Sequence, residues 1–172
     1  MEDLIMAALG GNEARVRTLL AEGADVNRPD GNGWTALSSA AARGHEQIVA
    51  RLLAAGAHVD CGDVKGTTPL MRGAAGGFIA VAKRLLLAKA SIDWADTSGR
   101  TALIKAVDNR RAEMVELLLT AGADVNAADR RDKTALMNAA LGGDKKIVNL
   151  LLTAGADTQR ADAKGWRRTE AV

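Results

Sequence analysis

The tripeptide Thr35-Ala36-Leu37 returns as Thr68-Pro69-Leu70, Thr101-Ala102-Leu103 and Thr134-Ala135-Leu136, each time after 33 residues. Other columns keep that step. Asp30 is echoed by Asp63, Asp96, Asp129 and Asp162, and Leu19-Leu20 by Leu52-Leu53, Leu85-Leu86, Leu118-Leu119 and Leu151-Leu152. Gly23-Ala24-Asp25-Val26-Asn27 returns as Gly122-Ala123-Asp124-Val125-Asn126, with variants starting at Gly56, Lys89 and Gly155. Independent columns that share one period over most of a chain restrict it to a stack of similar units, each contacting only its neighbours.

Within one unit, Leu37, Ala40 and Ala41 form a helical stripe that breaks at Gly44. Ile48, Val49, Leu52 and Leu53 then follow the spacing of a second apolar face. Thr35 is suited to cap the first helix, and Gly56, free to turn left-handed, to end the second. The stretch from Ala57 to the next Thr is too short for a helix and rich in turn formers, so it reads as a hairpin-like loop. Hydrophobic residues make up 48 % of the chain but aromatics only 2 %, so the core must be built from Ala, Leu, Val, Ile and Met. Two short helices cannot bury their own apolar faces, and the units must therefore stack. Each Leu buried by stacking contributes about 1.5–3 kcal/mol.

The stretches GWTALSSAAARGHEQIVARLLAAGAHVD and GTTPLMRGAAGGFIAVAKRLLLAKASID resemble the ankyrin repeat family. The resemblance implies an all-α repeat fold, an ankyrin-type solenoid of helix-turn-helix units with hairpin loops. It places an N-terminal repeat at 1–29, lacking its opening turn, and repeats at 30–62, 63–95, 96–128 and 129–161. Residues 162–172 form a partial C-terminal repeat or cap, the whole being one domain over 1–172. It further implies a non-catalytic scaffold that binds another protein; the charges of the face described below make that partner an extended acidic peptide, and the lone cysteine with no targeting or membrane segment gives a cytoplasmic chain, expected to be monomeric. The alternative is a regulatory or targeting domain cut from a larger multidomain protein or enzyme. Asn27 and Asn126 are similar to asparagines hydroxylated in some animal members of the family.

Chemistry of other kinds finds little support. The net charge of +2 and the absence of a stacking platform or recognition helix argue against nucleic acid. Cys61 is the single cysteine, which fits a reducing compartment. No stretch approaches the roughly 20 apolar residues of a membrane helix. Glu2 and Asp3 are unlike the basic start of a signal peptide. His45 and His58, the only histidines, have no ligand at metal-binding spacing, so no metal, cofactor or catalytic residue is expected. Gly33, Gly66 and Gly99 stand alone at turns without the pattern of a phosphate loop.

Several residues have structural explanations. Asp30, Asp63, Asp96 and Asp129, like Asp25, Asp124 and Asp157, are expected to bond nearby backbone N–H groups in turns. Ser38, Met71, Ile104 and Met137 occupy a column where the family commonly has His; they are expected to pack between repeats, without the family's His-centred hydrogen bonds. Arg110 replaces the inter-helix glycine, and Asn109 before it is expected to absorb part of the strain. Lys89 replaces the glycine that ends the second helix of 63–95, so that loop is expected to be distorted.

In the family the most variable columns line a concave face of hairpin tips and first-helix edges. Carried onto this chain, the resemblance gives Trp34, Arg43, Lys65, Arg72, Trp94, Arg100, Lys105, Arg130, Arg131 and Lys133 as partner-binding residues. Ser39, Asp108 and Asn138 lie on the same helix edges. The face is thus expected to be basic, increasingly toward the C-terminus, where Arg160, Lys164, Arg167 and Arg168 extend it. Trp34 and Trp166 share a tip column. Trp94 stands where other units have Arg28, Cys61, Ala127 and Arg160, and reads either as hairpin packing or as a partner contact.

Overall fold

A computed structural model describes residues 3–160. Among the described residues, ten helices run in antiparallel pairs: α1 (Leu4–Leu9) with α2 (Glu13–Ala21), α3 (Ala36–Arg43) with α4 (Glu46–Ala54), and α5 (Pro69–Gly76) with α6 (Ile79–Leu87). They continue with α7 (Ala102–Asp108) and α8 (Ala112–Thr120), then α9 (Ala135–Leu141) and α10 (Lys145–Thr153). First helices pack in one row, α1 on α3 on α5 on α7 on α9, and second helices in another. No strand occurs among the described residues, only an isolated bridge between Ala128 and Thr134.

Each first helix starts where Thr35, Thr68, Thr101 or Thr134 accepts the N–H of the residue three positions on. In α3 that residue is Ser38, whose hydroxyl returns a bond to the Thr35 N–H and closes a capping box. Met71, Ile104 and Met137 cannot return one; they are buried between units instead. The Leu column carries the stack: Leu52, Leu85, Leu118 and Leu151 are all 0 % exposed.

Two polar ladders tie unit to unit. Asn27, Asp60, Asp93 and Asn126 accept the backbone N–H of His58, Ser91, Asp124 and Asp157, each in the following unit, at 2.7–3.0 Å. The hairpin tips form the second. The N–H of Val64, Thr97 and Arg130 donates to the carbonyl of Asn32, Lys65 and Ser98 at 3.0, 2.9 and 3.0 Å. The turn between paired helices is closed by a side chain from the next unit. His45 packs on Gly11, Phe78 on Gly44 and Arg111 on Gly77. His45 Nε2 meets Leu9 O at 3.2 Å, and Arg111 Nε donates to Ala75 O at the same distance, so two different side chains satisfy the same helix end.

Two expectations about replaced glycines are corrected. Asn109 keeps an ordinary φ of −99°, and Arg110 itself takes the left-handed turn at φ 56°. Asn109 instead caps α7 through its side chain, Nδ2 to Lys105 O at 2.8 Å, while Arg110 Nη2 reaches Gly142 O at 3.0 Å. Nor is the loop at Lys89 distorted. At φ 67°, Lys89 donates to Leu86 O and Ala90 to Leu85 O, both at 3.0 Å, as Gly56 and Ala57 do one unit earlier. The flanking helix and loop hold the turn regardless of the residue. The strain should nevertheless be recoverable. Left-handed backbone costs a non-glycine residue roughly 1–2 kcal/mol, offset in part by the greater chain entropy of glycine. Lys89→Gly is expected to raise the free energy of unfolding by about 0.5–1 kcal/mol in urea titration; no gain would mean that the turn is unstrained.

Candidate functional site

The angle between hairpin tips and first helices forms an open groove of about 700 Å³ across the middle of the stack. Trp34, Lys65, Arg72, Arg100 and Lys105, five of the ten sequence-derived residues, line it together with Asp63 and Asp108. Arg43 is exposed at the end of α3. Arg130, Arg131 and Lys133 lie on the last described tip, continuing the same columns. Trp94 is exposed on the loop after α6, apart from the groove lining. Lys164, Trp166, Arg167 and Arg168 lie outside the described residues. Arg160 is turned to its own chain, with Nη1 2.6 Å from Asn126 O.

The Asp that opens each hairpin shapes the site. Its Oδ1 accepts two backbone N–H groups of the turn: Asn32 and Trp34 for Asp30, Lys65 and Thr67 for Asp63, Ser98 and Arg100 for Asp96, Arg131 and Lys133 for Asp129. The turn role expected for this column is therefore met, but it uses only half of the carboxylate. Asp63 Oδ2 pairs with Arg72 Nη2 at 2.6 Å, and Asp96 Oδ2 with Lys105 Nζ at 2.7 Å. Arg100 Nη1 lies 3.2 Å from Asp108 Oδ2, and Asn138 Nδ2 donates to Asp108 Oδ1 at 2.9 Å.

The expected basic face, increasing toward the C-terminus, is partly neutralised within its central part. Three of the expected cations are matched by carboxylates, and only Arg43, Lys65, Arg130, Arg131 and Lys133 have no acid within salt-bridge distance among the described residues. The turn role expected for the Asp column accounts for one oxygen only; the second takes the cations. A signal existed in the sequence: Arg72 follows Asp63, and Lys105 follows Asp96, by the same nine residues. Ser39 holds that place in the preceding unit and, contrary to its expected exposure on the helix edge, is buried with its hydroxyl unpaired.

Trp34 contributes a wall. The Arg72 guanidinium stacks on its ring at 3.3 Å from the centroid, against Asp63 on another side. Burial lowers the Arg72 pKa, opposed by the fields of Asp63 and Asp30. The guanidinium is fixed more as part of the groove floor than as a free cation, and its Nε has no partner.

The two acids of the next unit shift in opposite directions. Burial alone would raise Asp96, but the hydrogen bond and charge of Lys105, with the N–H groups of Arg100 and Ser98, hold it below its ordinary value. Burial raises Asp108, with a further push from Asp129, against Arg100, Asn138 and Lys105. A lowered folded pKa gives stability that is present above the unfolded value and lost as pH falls through the folded one. Asp96→Asn should therefore destabilise by about 1–2 kcal/mol at neutral pH, a difference that shrinks in acid below the ordinary carboxylate range. Asp108 has the opposite sign, so Asp108→Asn should not show that acid-sensitive loss. Urea titrations at neutral and acid pH check both; a pH-independent Asp96→Asn effect would contradict the ion pair.

Among the described residues no group of three or more His, Cys, Asp or Glu could hold a metal ion. Cys61 is half-buried and unpaired. No helix among the described residues is long and apolar enough to cross a membrane. A family model described as ankyrin repeats in three copies matches residues 4–96 and 74–162. No curated protein matches the chain.

Proposed function

Because the chain belongs to the ankyrin repeat family, whose repeats generally mediate protein–protein interaction and are typically non-catalytic, we propose that it is a scaffold holding an extended acidic segment of a partner along the concave groove. The observation that supports this reading is the column of tip residues Lys65, Ser98 and Arg131. Lys65 and Arg131 are exposed on tips joined by the backbone ladder and have no acid within salt-bridge distance among the described residues. Charges held on a rigid frame and not neutralised within it attract opposite charge without a large ordering cost. Lys65 enters the groove beside Trp34, whereas Arg130, Arg131 and Lys133 extend its basic end. An extended strand suits the site because its side chains alternate and can meet tips on one side and the Trp34 wall on the other.

The monomer, the repeat boundaries over 1–172 and a cytoplasmic setting belong to the same proposal. The test is titration of a Glu-rich synthetic peptide into the wild-type chain and into Lys65→Glu/Arg131→Glu, with folding checked by circular dichroism. Binding should weaken at least about tenfold in the double variant and fall with added salt in the wild type. Equal binding to both would place the acidic contact elsewhere. The alternative, a domain serving a larger protein, makes the same prediction for this groove.

A further inference from the structure

The hairpin aspartates differ in what meets their second oxygen. Asp63 has Arg72 and Asp96 has Lys105, while Asp30 lies in the field of Arg72. Neither Asp30 nor Asp129 has an ion pair among the described residues, and of the two Asp129 is the buried one. Its Oδ1 takes the two turn N–H groups like the others. The residue in the place of Arg72 and Lys105 is Asn138, which turns its amide to Asp108 instead. Asp129 is only 9 % exposed, yet no cation among the described residues pairs with it. Its Oδ2 takes no bond from the described residues and is open to solvent, at the place the same fold fills twice with a cation nine residues on. Asp108 adds to the demand, since the field of Asp129 reaches it.

We propose that the last described hairpin holds a Lys or Arg side chain of the bound segment against Asp129 Oδ2, in the place that Arg72 and Lys105 fill in the two preceding units. This rests on the groove reading above and sharpens it. The partner segment carries one basic anchor among its acids, and the anchor fixes register and direction along the solenoid. Lys65 and the tip cations Arg130 and Arg131 receive the acids on either side. A wholly acidic segment would instead bring like charge against Asp129.

The test uses the full chain and a synthetic Glu/Ser peptide, alone or with a single Arg walked along its length, read by fluorescence anisotropy. One Arg position should bind the wild type about tenfold tighter than the parent peptide. Asn138→Lys supplies the missing cation internally, as Lys105 does for Asp96; it should abolish that preference while leaving the parent peptide bound. Asp129→Asn should abolish the preference as well. The inference is overturned if no Arg position improves on a parent peptide that itself binds, or if Asn138→Lys keeps the preference. It is also overturned if the preference appears only in Arg167→Gln/Arg168→Gln, which would assign Asp129 to the chain's own terminal segment. If neither the parent nor any Arg-bearing peptide binds, the groove reading falls first and this site with it.

Discussion

Leu103→Ala is expected to destabilise the protein by about 3 kcal/mol, seen as a fall of roughly 6–12 °C in Tm. Leu103 is 1 % exposed at the start of α7, and α7 packs against α5, α8 and α9. Removing its branched end leaves a cavity between units on both sides that neighbouring helices cannot close without moving each other. Leu4 occupies the same column in α1, but it is 7 % exposed and has a neighbouring unit on one side only. Leu4→Ala should therefore cost at most about 2 kcal/mol. Equal losses would contradict a stack in which stability is carried by interfaces between neighbours. Urea titration followed by circular dichroism distinguishes the two, and a second transition in Leu103→Ala would show the array splitting at that interface.

Gly99→Ala carries the second large effect, and Gly66→Ala is its control. Both glycines turn left-handed at hairpin tips, with φ 79° and 71°. A Cβ on Gly66 would lie 3.5 Å from the nearest atom, Asp96 Cα, an ordinary contact. On Gly99 it would lie 2.7 Å from Arg130 N and 3.0 Å from Asp129 C and Cα, all backbone. The first variant is expected to lose about 1 kcal/mol from backbone strain alone. The second must also push the next tip away and break the Arg130-to-Ser98 bond, for a total of about 2–4 kcal/mol. Because that tip carries Arg130, Arg131 and Lys133, Gly99→Ala should weaken acidic-peptide binding as well, and Gly66→Ala much less. Equal stability losses would mean that the hairpins are not in contact through their backbones.

The fold was legible because each unit repeats the same local rules. The Thr caps, the Leu pairs and the turn aspartates recur at one spacing, and each has a meaning that does not depend on distant residues. The groove was less legible because its charges depend on which side chain a turn brings opposite which helix edge. Arg72 reads as a solvated cation in sequence; in the structure it lies between Trp34 and Asp63. Lys105 and Arg100 are likewise drawn to Asp96 and Asp108. Lys65 and Arg131 are exposed on their tips, meet their own Asp through backbone N–H alone, and have no acid within salt-bridge distance among the described residues. Lys89 and Arg110 show the converse limit: a residue type that disfavours a backbone angle does not prevent it when packing on both sides imposes it.

The central claim, that the concave face between tips and first helices is the binding surface, is tested most directly by mapping backbone amide NMR shifts of the 15N-labelled chain during titration with the Glu-rich peptide. Shifts concentrated at Lys65, Ser98, Arg131 and the edges of α5, α7 and α9 are the predicted result. Shifts confined to the outer helices α4, α6, α8 and α10, or to the loop around Trp94, would contradict it.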